Sequence, residues 1–342
     1  MSKKTSVMVK IMFVVLASVW LATSAWQPAA VAAPAATGTP QNFGPSLVKS
    51  CPNPEGIAVD PTGNIYASSF ASTPTANICV VNSAGALVDV IPVAAGSGGV
   101  TSLLGMLFVP SQGLYVLDFA NGAQPNGRVL HVDPATHAVT TIATGFAAPN
   151  GVAQDNHGAL FVSDSFTGEI RKVAPDGTSN TLWVQSELLK PHGFPPFGAN
   201  GVAFDRTERF LYIANTADDR VLRVPVQADG SAGKVEIFAD GATINATQKT
   251  THAIDGADGI AFDVQGNLYV CANQANEIQV LSPSGALVTR YAGTGAAALD
   301  FPASLVFKGR SLFITNLSLF DGGINSKLSV LEAPLPGAPL RP

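Results

Sequence analysis

Six segments of this 342-residue chain align on one pattern. They are EGIAVDPTGNIYASS from Glu55, LGMLFVPSQGLYVLD from Leu104, NGVAQDNHGALFVSD from Asn150, NGVAFDRTERFLYIAN from Asn200, DGIAFDVQGNLYVCAN from Asp258 and ASLVFKGRSLFITN from Ala303. Their second positions, Gly56, Gly105, Gly151, Gly201, Gly259 and Ser304, follow one another at intervals of 49, 46, 50, 58 and 45 residues. An aromatic recurs at a nearly fixed offset: Tyr66, Tyr115, Phe161, Tyr212, Tyr269 and Phe313. A unit that repeats at this period cannot bury its apolar face alone and must stack on its neighbours.

Each unit reads as four short strands. A first apolar run ends at a polar turn such as DPTG or DNHG. A second follows, such as ALFVSD, then a third, such as EIRKV or RVLRV. A Pro/Asp/Gly turn leads to a fourth, such as TLWV or VEIFA. Apolar runs of alternating pattern between Gly, Pro and Asp turns are strand signals. Four strands per unit of this length is the mark of a propeller blade. The expectation is therefore an all-β, six-bladed β-propeller with four antiparallel strands per blade, spanning residues 41–335. No long amphipathic helix pattern competes with it. The 33 Gly, 24 Pro and only 13% charged residues suit such a turn-rich chain.

In a propeller, equivalent positions of different blades form a ring about the central axis. The position before the repeated glycine reads Glu55, Leu104, Asn150, Asn200, Asp258 and Ala303. Four of these six carry side-chain oxygens. Hard divalent cations take carboxylate and amide oxygens, so Glu55, Asn150, Asn200 and Asp258 are candidate ligands of a central metal site. The expected ion is Ca2+, or another divalent cation such as Mn2+, Mg2+ or Zn2+. The glycine itself is expected to relieve a tight start to the innermost strand.

Residues 1–32 read as a secretory signal peptide, with basic MSKKTSVMVK, apolar IMFVVLASVWLATSA and small residues suited to cleavage after Ala32 or Ala25. Residues 33–40 form a linker and 336–342 a C-terminal tail. Loss of the leader takes Lys plus Arg from 19 to 16 against 24 acids, a net charge of about −8. That argues against nucleic acid or an anionic membrane as partner. The expected location is periplasmic or secreted, and the expected state a monomer. Of the three cysteines, Cys51 and Cys79 could pair or stay reduced, and Cys271 sits inside a strand pattern.

With Glu55 in NPEGIAVD, Asn150 in APNGVAQD, Asn200 in GANGVAFD and Asp258 in GADGIAFD, the chain resembles the senescence-marker-protein / gluconolactonase / regucalcin-like family. The resemblance runs over nearly all the chain after the leader. It implies a six-bladed propeller with one divalent metal, usually Ca2+, at the top of the central channel. It also implies those four residues as ligands. The family's first-blade motif is commonly Glu-Gly-Pro followed by an aromatic, whereas this chain reads EGIAVD. The implied activity is hydrolysis of a small-molecule lactone or related ester by a metal-dependent enzyme.

An open cation can polarise a carbonyl and hold a developing oxyanion. A general base would complete hydrolysis. Asp258 is one candidate. His192 and His252 are others, because each lies in a loop leading into a candidate ligand. Those two loops, SELLKPHGFPPFGA and GATINATQKTTHAIDGA, are expected to lie over the metal face. A non-catalytic NHL-like binding propeller is an alternative. So is another enzyme on the same scaffold, of the phosphotriesterase or strictosidine-synthase-like kind. No GxSxG, HExxH or phosphate-binding glycine loop occurs.

Overall fold

A computed structural model describes residues 38–122 and 125–339. The expected signal peptide and most of the linker lie outside the described residues. Six four-stranded antiparallel sheets account for the strands. The innermost strands are Pro54–Val59, Leu103–Val109, Pro149–Gln154, Ala199–Phe204, Ala257–Phe262 and Pro302–Lys308. The six-bladed, four-stranded architecture read from the repeat is thus the one observed. In five blades the strands follow sequence order from the axis outward. The sixth draws three strands from the C-terminal end and its outermost strand, Gln41–Phe43, from the start of the propeller. That short strand, not visible in the repeat, closes the ring.

The repeated aromatics lock blade to blade. Phe161 meets Phe204 edge-on with ring centroids 5.0 Å apart, Tyr212 meets Phe262 at 5.0 Å and Tyr269 meets Phe307 at 5.1 Å. Tyr66 stacks on Phe108, and at the closure Phe313 meets Phe43 at 4.9 Å. The first ring of each pair lies on a second strand, and all but Phe43 of the second rings lie on the next blade's innermost strand. Offset and edge-on aromatic pairs are favourable beyond the area they bury. One column of the repeat therefore supplies an aromatic contact across four blade boundaries, and a fifth within the closing blade.

The tightness expected at the glycine column comes from the neighbouring blade. None of Gly56, Gly105, Gly151, Gly201 and Gly259 has a positive φ. Each instead lies against the next blade. A Cβ on Gly56 would stand 2.1 Å from the Leu104 carbonyl oxygen, on Gly105 2.2 Å from that of Asn150, and on Gly151 2.3 Å from that of Asn200. On Gly201 it would stand 2.5 Å from that of Asp258 and on Gly259 2.7 Å from that of Ala303. Innermost strands crowd at the axis, and in five blades glycine lets the backbones approach, with Ser304 at the position in the sixth.

Cys51 and Cys79 form a disulfide, while Cys271 is free and buried. The chain past residue 335 packs on the rim: Ala338 N–H donates to the Phe262 carbonyl and Gly337 N–H to that of Gly309. Among the described residues the one α-helix is Gly241–Gln248, in the loop before Asp258. It begins at an Asp240 side chain that accepts from Thr243 N–H.

Candidate functional site

The ladder between first and second strands is interrupted at the same dipeptide in every blade. The shifts fall between Pro54 and Ile57, Leu103 and Met106, Pro149 and Val152, Ala199 and Val202, Ala257 and Ile260, and Pro302 and Leu305. Each candidate ligand and its glycine therefore sit in a bulge, a device that re-aims a side chain. In three blades a hydroxyl on the second strand replaces the missing ladder bond. Ser68 Oγ accepts from Gly56 N–H and donates to the Leu104 carbonyl of the next blade. Ser163 Oγ accepts from Gly151 N–H and donates to the Asn200 carbonyl. Thr315 Oγ1 does the same between Ser304 N–H and the Glu55 carbonyl. At those three positions the backbone of the ring is thereby fixed from two blades at once.

Glu55, Asn150, Asn200 and Asp258 are all buried and line one chamber at the axis. Three are held by a partner in their own blade. Asn150 Nδ2 donates to Ser165 Oγ at 3.2 Å, 15 residues on. Asn200 Nδ2 donates to Thr216 Oγ1 at 2.8 Å, 16 residues on. Asp258 Oδ2 accepts from Asn273 Nδ2 at 2.8 Å, 15 residues on. Engaging each amide through its nitrogen leaves the Asn150 and Asn200 oxygens available as ligands. This supporting column was missed from the sequence. Its signal was the constant offset, which could have been read from the aligned repeats.

Two carboxylate oxygens at the site, Glu55 Oε2 and Asp258 Oδ1, are buried with no hydrogen-bond partner in the protein. Burial, and secondarily the Asp258 carboxylate, pushes the Glu55 carboxyl well above the usual carboxylate range. Burial pushes Asp258 up to about 7, against the opposing pull of the Asn273 and Asn200 amides. Two buried, adjacent, uncompensated carboxylates are costly unless a cation or protons neutralise them. Two carboxylates and two amides form a hard-oxygen set that fits a divalent cation of the Ca2+ type. No group of three or more His, Cys, Asp or Glu occurs in metal-binding array among the described residues. The candidate set has only two such residues and completes itself with amides.

Apolar side chains wall the chamber: Phe70, Leu104, Pro195, Phe197, Phe301, Leu317 and Leu319. Its volume is about 50 Å³, room for an ion and one or two waters. Pro195 and Phe197 come from the long loop before Asn200, as expected for a loop over this face. The loop before Asp258 contributes no lining residue ahead of Asp258 itself. A larger cavity of about 230 Å³ occupies the other end of the channel, reaching Ala338 and Pro339. Asn150 and Asn200 line both cavities, so the ring of candidate ligands partitions the channel.

The structure brings neither candidate histidine to the chamber. His192 has its side chain 56% exposed, with Nδ1 2.9 Å from Asp218 Oδ2. His252 is 66% exposed, with Nδ1 2.8 Å from Asp255 Oδ2. Neither is among the lining residues. Of the three candidate bases, only Asp258 is. Asp118, Asp164 and Asn215, at the ends of second strands, cap loops: Asp164, for example, accepts from Ala147, Ala148, Phe166 and Thr167 N–H.

Residues 197–318 match the family model described as SMP-30/gluconolactonase/LRE-like region, which bears out the resemblance read from the sequence. That segment contains Asn200 and Asp258. No curated protein matches the chain. Among solved structures, a candidate gluconolactonase superposes with a TM-score of 0.63 at 16% identity, over 90% of this chain and 96% of its own. A luciferin-regenerating enzyme gives 0.63 at 15%, over 88% and 97%. Regucalcin from Agrobacterium tumefaciens, named a calcium-binding protein, gives 0.60 at 17%, over 88% and 98%. At these identities the likeness is one of fold. The chain is thus a six-bladed propeller that carries, over residues 197–318, an SMP-30/gluconolactonase/LRE-like region.

Proposed function

We propose that this protein is an exported, divalent-metal-dependent hydrolase of lactones or related esters, working as a monomer. One observation carries the reading: the unpartnered oxygens of Glu55 and Asp258 in a buried ring completed by Asn150 and Asn200. Those four residues would hold the cation. When bound, the ion supplies Lewis-acid polarisation of the substrate carbonyl. Ser165, Thr216 and Asn273 hold three of the four ring side chains, so little reorganisation is needed when substrate arrives. The apolar walls exclude water and strengthen electrostatic interactions inside. Asp258 is also the one candidate proton acceptor that lines the chamber.

The gluconolactonase likeness favours hydrolysis. The likeness to a protein named only as calcium-binding favours a second reading, in which the ring binds the ion without turnover. Export is supported by the leader-like N-terminus and by the Cys51–Cys79 disulfide, which suits an oxidising compartment. The test combines calorimetric Ca2+ titration with lactone hydrolysis before and after chelation, on wild type and Glu55→Gln. Chelation and the substitution should each lower kcat/KM by about 100-fold or more, and Glu55→Gln should also weaken the Ca2+ isotherm. Ca2+ binding without turnover of any lactone or ester supports the binding-only reading. Turnover insensitive to both changes refutes the metal site. The intact mass of the same preparation reports whether the leader has been cleaved.

A further inference from the structure

The chamber's polar groups are confined to its floor, the candidate ligands with Thr216 and Asn273. Its walls, Phe70, Leu104, Phe197, Phe301, Leu317 and Leu319, offer no side-chain hydrogen-bonding group. The apolar character continues outward. Phe194, adjacent to lining Pro195, is 67% exposed, and its carbonyl accepts from Gln274 Nε2, next to lining Asn273. Phe320 is 69% exposed and stands edge-on to lining Phe301, ring centroids 5.1 Å apart. Ile324, in the same loop as Leu317 and Leu319, is also 69% exposed. Each of these exposed side chains neighbours a wall residue of the chamber, so the apolar surface extends from the site, where apolar patches suit ligand binding.

A sugar lactone would carry several hydroxyls into these walls. Each hydroxyl that gives up water without a partner costs about tenfold in affinity. A hydrophobic substituent gains about two- to fourfold per buried methylene. We propose that the substrate class of this chamber is an apolar ester or lactone, with its carbonyl directed at the oxygen floor and its ring and alkyl or aryl substituent outside the chamber, toward Phe194 and Phe320. The inference rests on the reading of the chamber as a hydrolase site, but its binding half can be tested alone.

The experiment compares δ-decanolactone with D-glucono-δ-lactone, which share a ring and differ in substituents. It also compares the two corresponding lactams, which keep ring and substituents but lack the ester. The pentyl-substituted lactam should bind at least about tenfold tighter by calorimetry, and δ-decanolactone should show the higher kcat/KM by about 100-fold. Phe194→Ala and Phe320→Ala, both surface truncations, should each raise the Kd of the pentyl lactam about five- to tenfold. Equal or tighter binding of the hydroxylated lactam, or no binding of the pentyl lactam, overturns the inference. If the pentyl lactam binds tighter while neither lactone is turned over, the apolar assignment holds and the hydrolase reading falls.

Discussion

Asp219 occupies a left-handed conformation, φ 52°, and its Oδ1 accepts from Gly256 N–H at 2.7 Å. Burial, opposed by that hydrogen bond and reinforced by Asp255, Asp218 and Asp240, pushes its carboxyl up to about 6. A carboxyl raised in the folded state contributes stability that is fully present below its unfolded value, near 4, and lost as pH rises through 6. Asn keeps the acceptor for Gly256, tolerates the left-handed region better and carries no charge. Asp219→Asn should therefore leave stability nearly unchanged at pH 4. By pH 7–8 it should raise stability by about 1–2 kcal/mol, a figure reduced for partial exposure. Chemical denaturation of both proteins across that range measures the difference, and a gap that does not grow with pH contradicts it. The same logic, a carboxylate waiting for neutralisation, is stronger at Glu55 and Asp258, where no backbone donor reaches Glu55 Oε2 or Asp258 Oδ1.

Within a blade, the bulge at the ligand–glycine dipeptide joins fold to site. It places the candidate ligand on the axis and brings the glycine against the next blade's carbonyl. Gly151→Ala would force a Cβ to within 2.3 Å of the Asn200 carbonyl oxygen and 3.0 Å of the Gly201 Cα, both backbone. Overpacking that cannot relax through a side chain should cost about 3 kcal/mol or more. Because the displaced atoms belong to Asn200 and Gly201, Ca2+ affinity should fall along with stability. Urea unfolding and calorimetry on one preparation read both, and an unchanged unfolding midpoint would show that the strands can part. The strands and the oxygen column were legible because each recurs with the repeat: Tyr66, Phe161 and Tyr212 mark the second strands as plainly as Gly56 and Gly151 mark the first. The bulge was not, since Asn-Gly and Asp-Gly read as turns and only pairing register reveals two unpaired residues. His192 and His252 were overvalued because sequence proximity to Asn200 and Asp258 says nothing of where a loop turns. Both rings end exposed, paired with Asp218 and Asp255. The apolar walls came from residues such as Phe70, Phe301 and Leu319, which look like ordinary core until the loops are placed.

For the whole propeller, closure depends on a short element. Gln41–Phe43 pairs with Lys327–Glu332 through three residues, Gln41 with Val330, Asn42 with Ser329 and Phe43 with Leu328. A ring opens most easily where its seam is shortest, and this seam joins the two ends of the described chain. The stretch following Gln41–Phe43 is anchored by Leu47 N–H donating to the Ser326 carbonyl and by Cys51, bonded to Cys79 on strand Thr75–Val81 of the first blade. Leu47, Cys51 and Cys79 pack with Phe313 and Leu328 of the sixth blade in one apolar cluster. The disulfide therefore ties the closing strand's continuation to the blade it must span from. A bridge between residues 28 apart should stabilise by about 3–4 kcal/mol through the loop it closes in the unfolded chain. Cys51→Ser with Cys79→Ser should accordingly lower Tm by roughly 5–6 °C. Hydrogen exchange should quicken first in residues 41–43 and 327–332, where the seam lies, before the four inner blades respond. Cys271→Ser is the matched comparison, because its column carries Ser68, Ser163 and Thr315 in other blades and it has no bridge to lose. An equal fall in Tm for Cys271→Ser and the double variant, with uniform exchange across all six blades, would place the effect in general core packing and leave the seam without a staple.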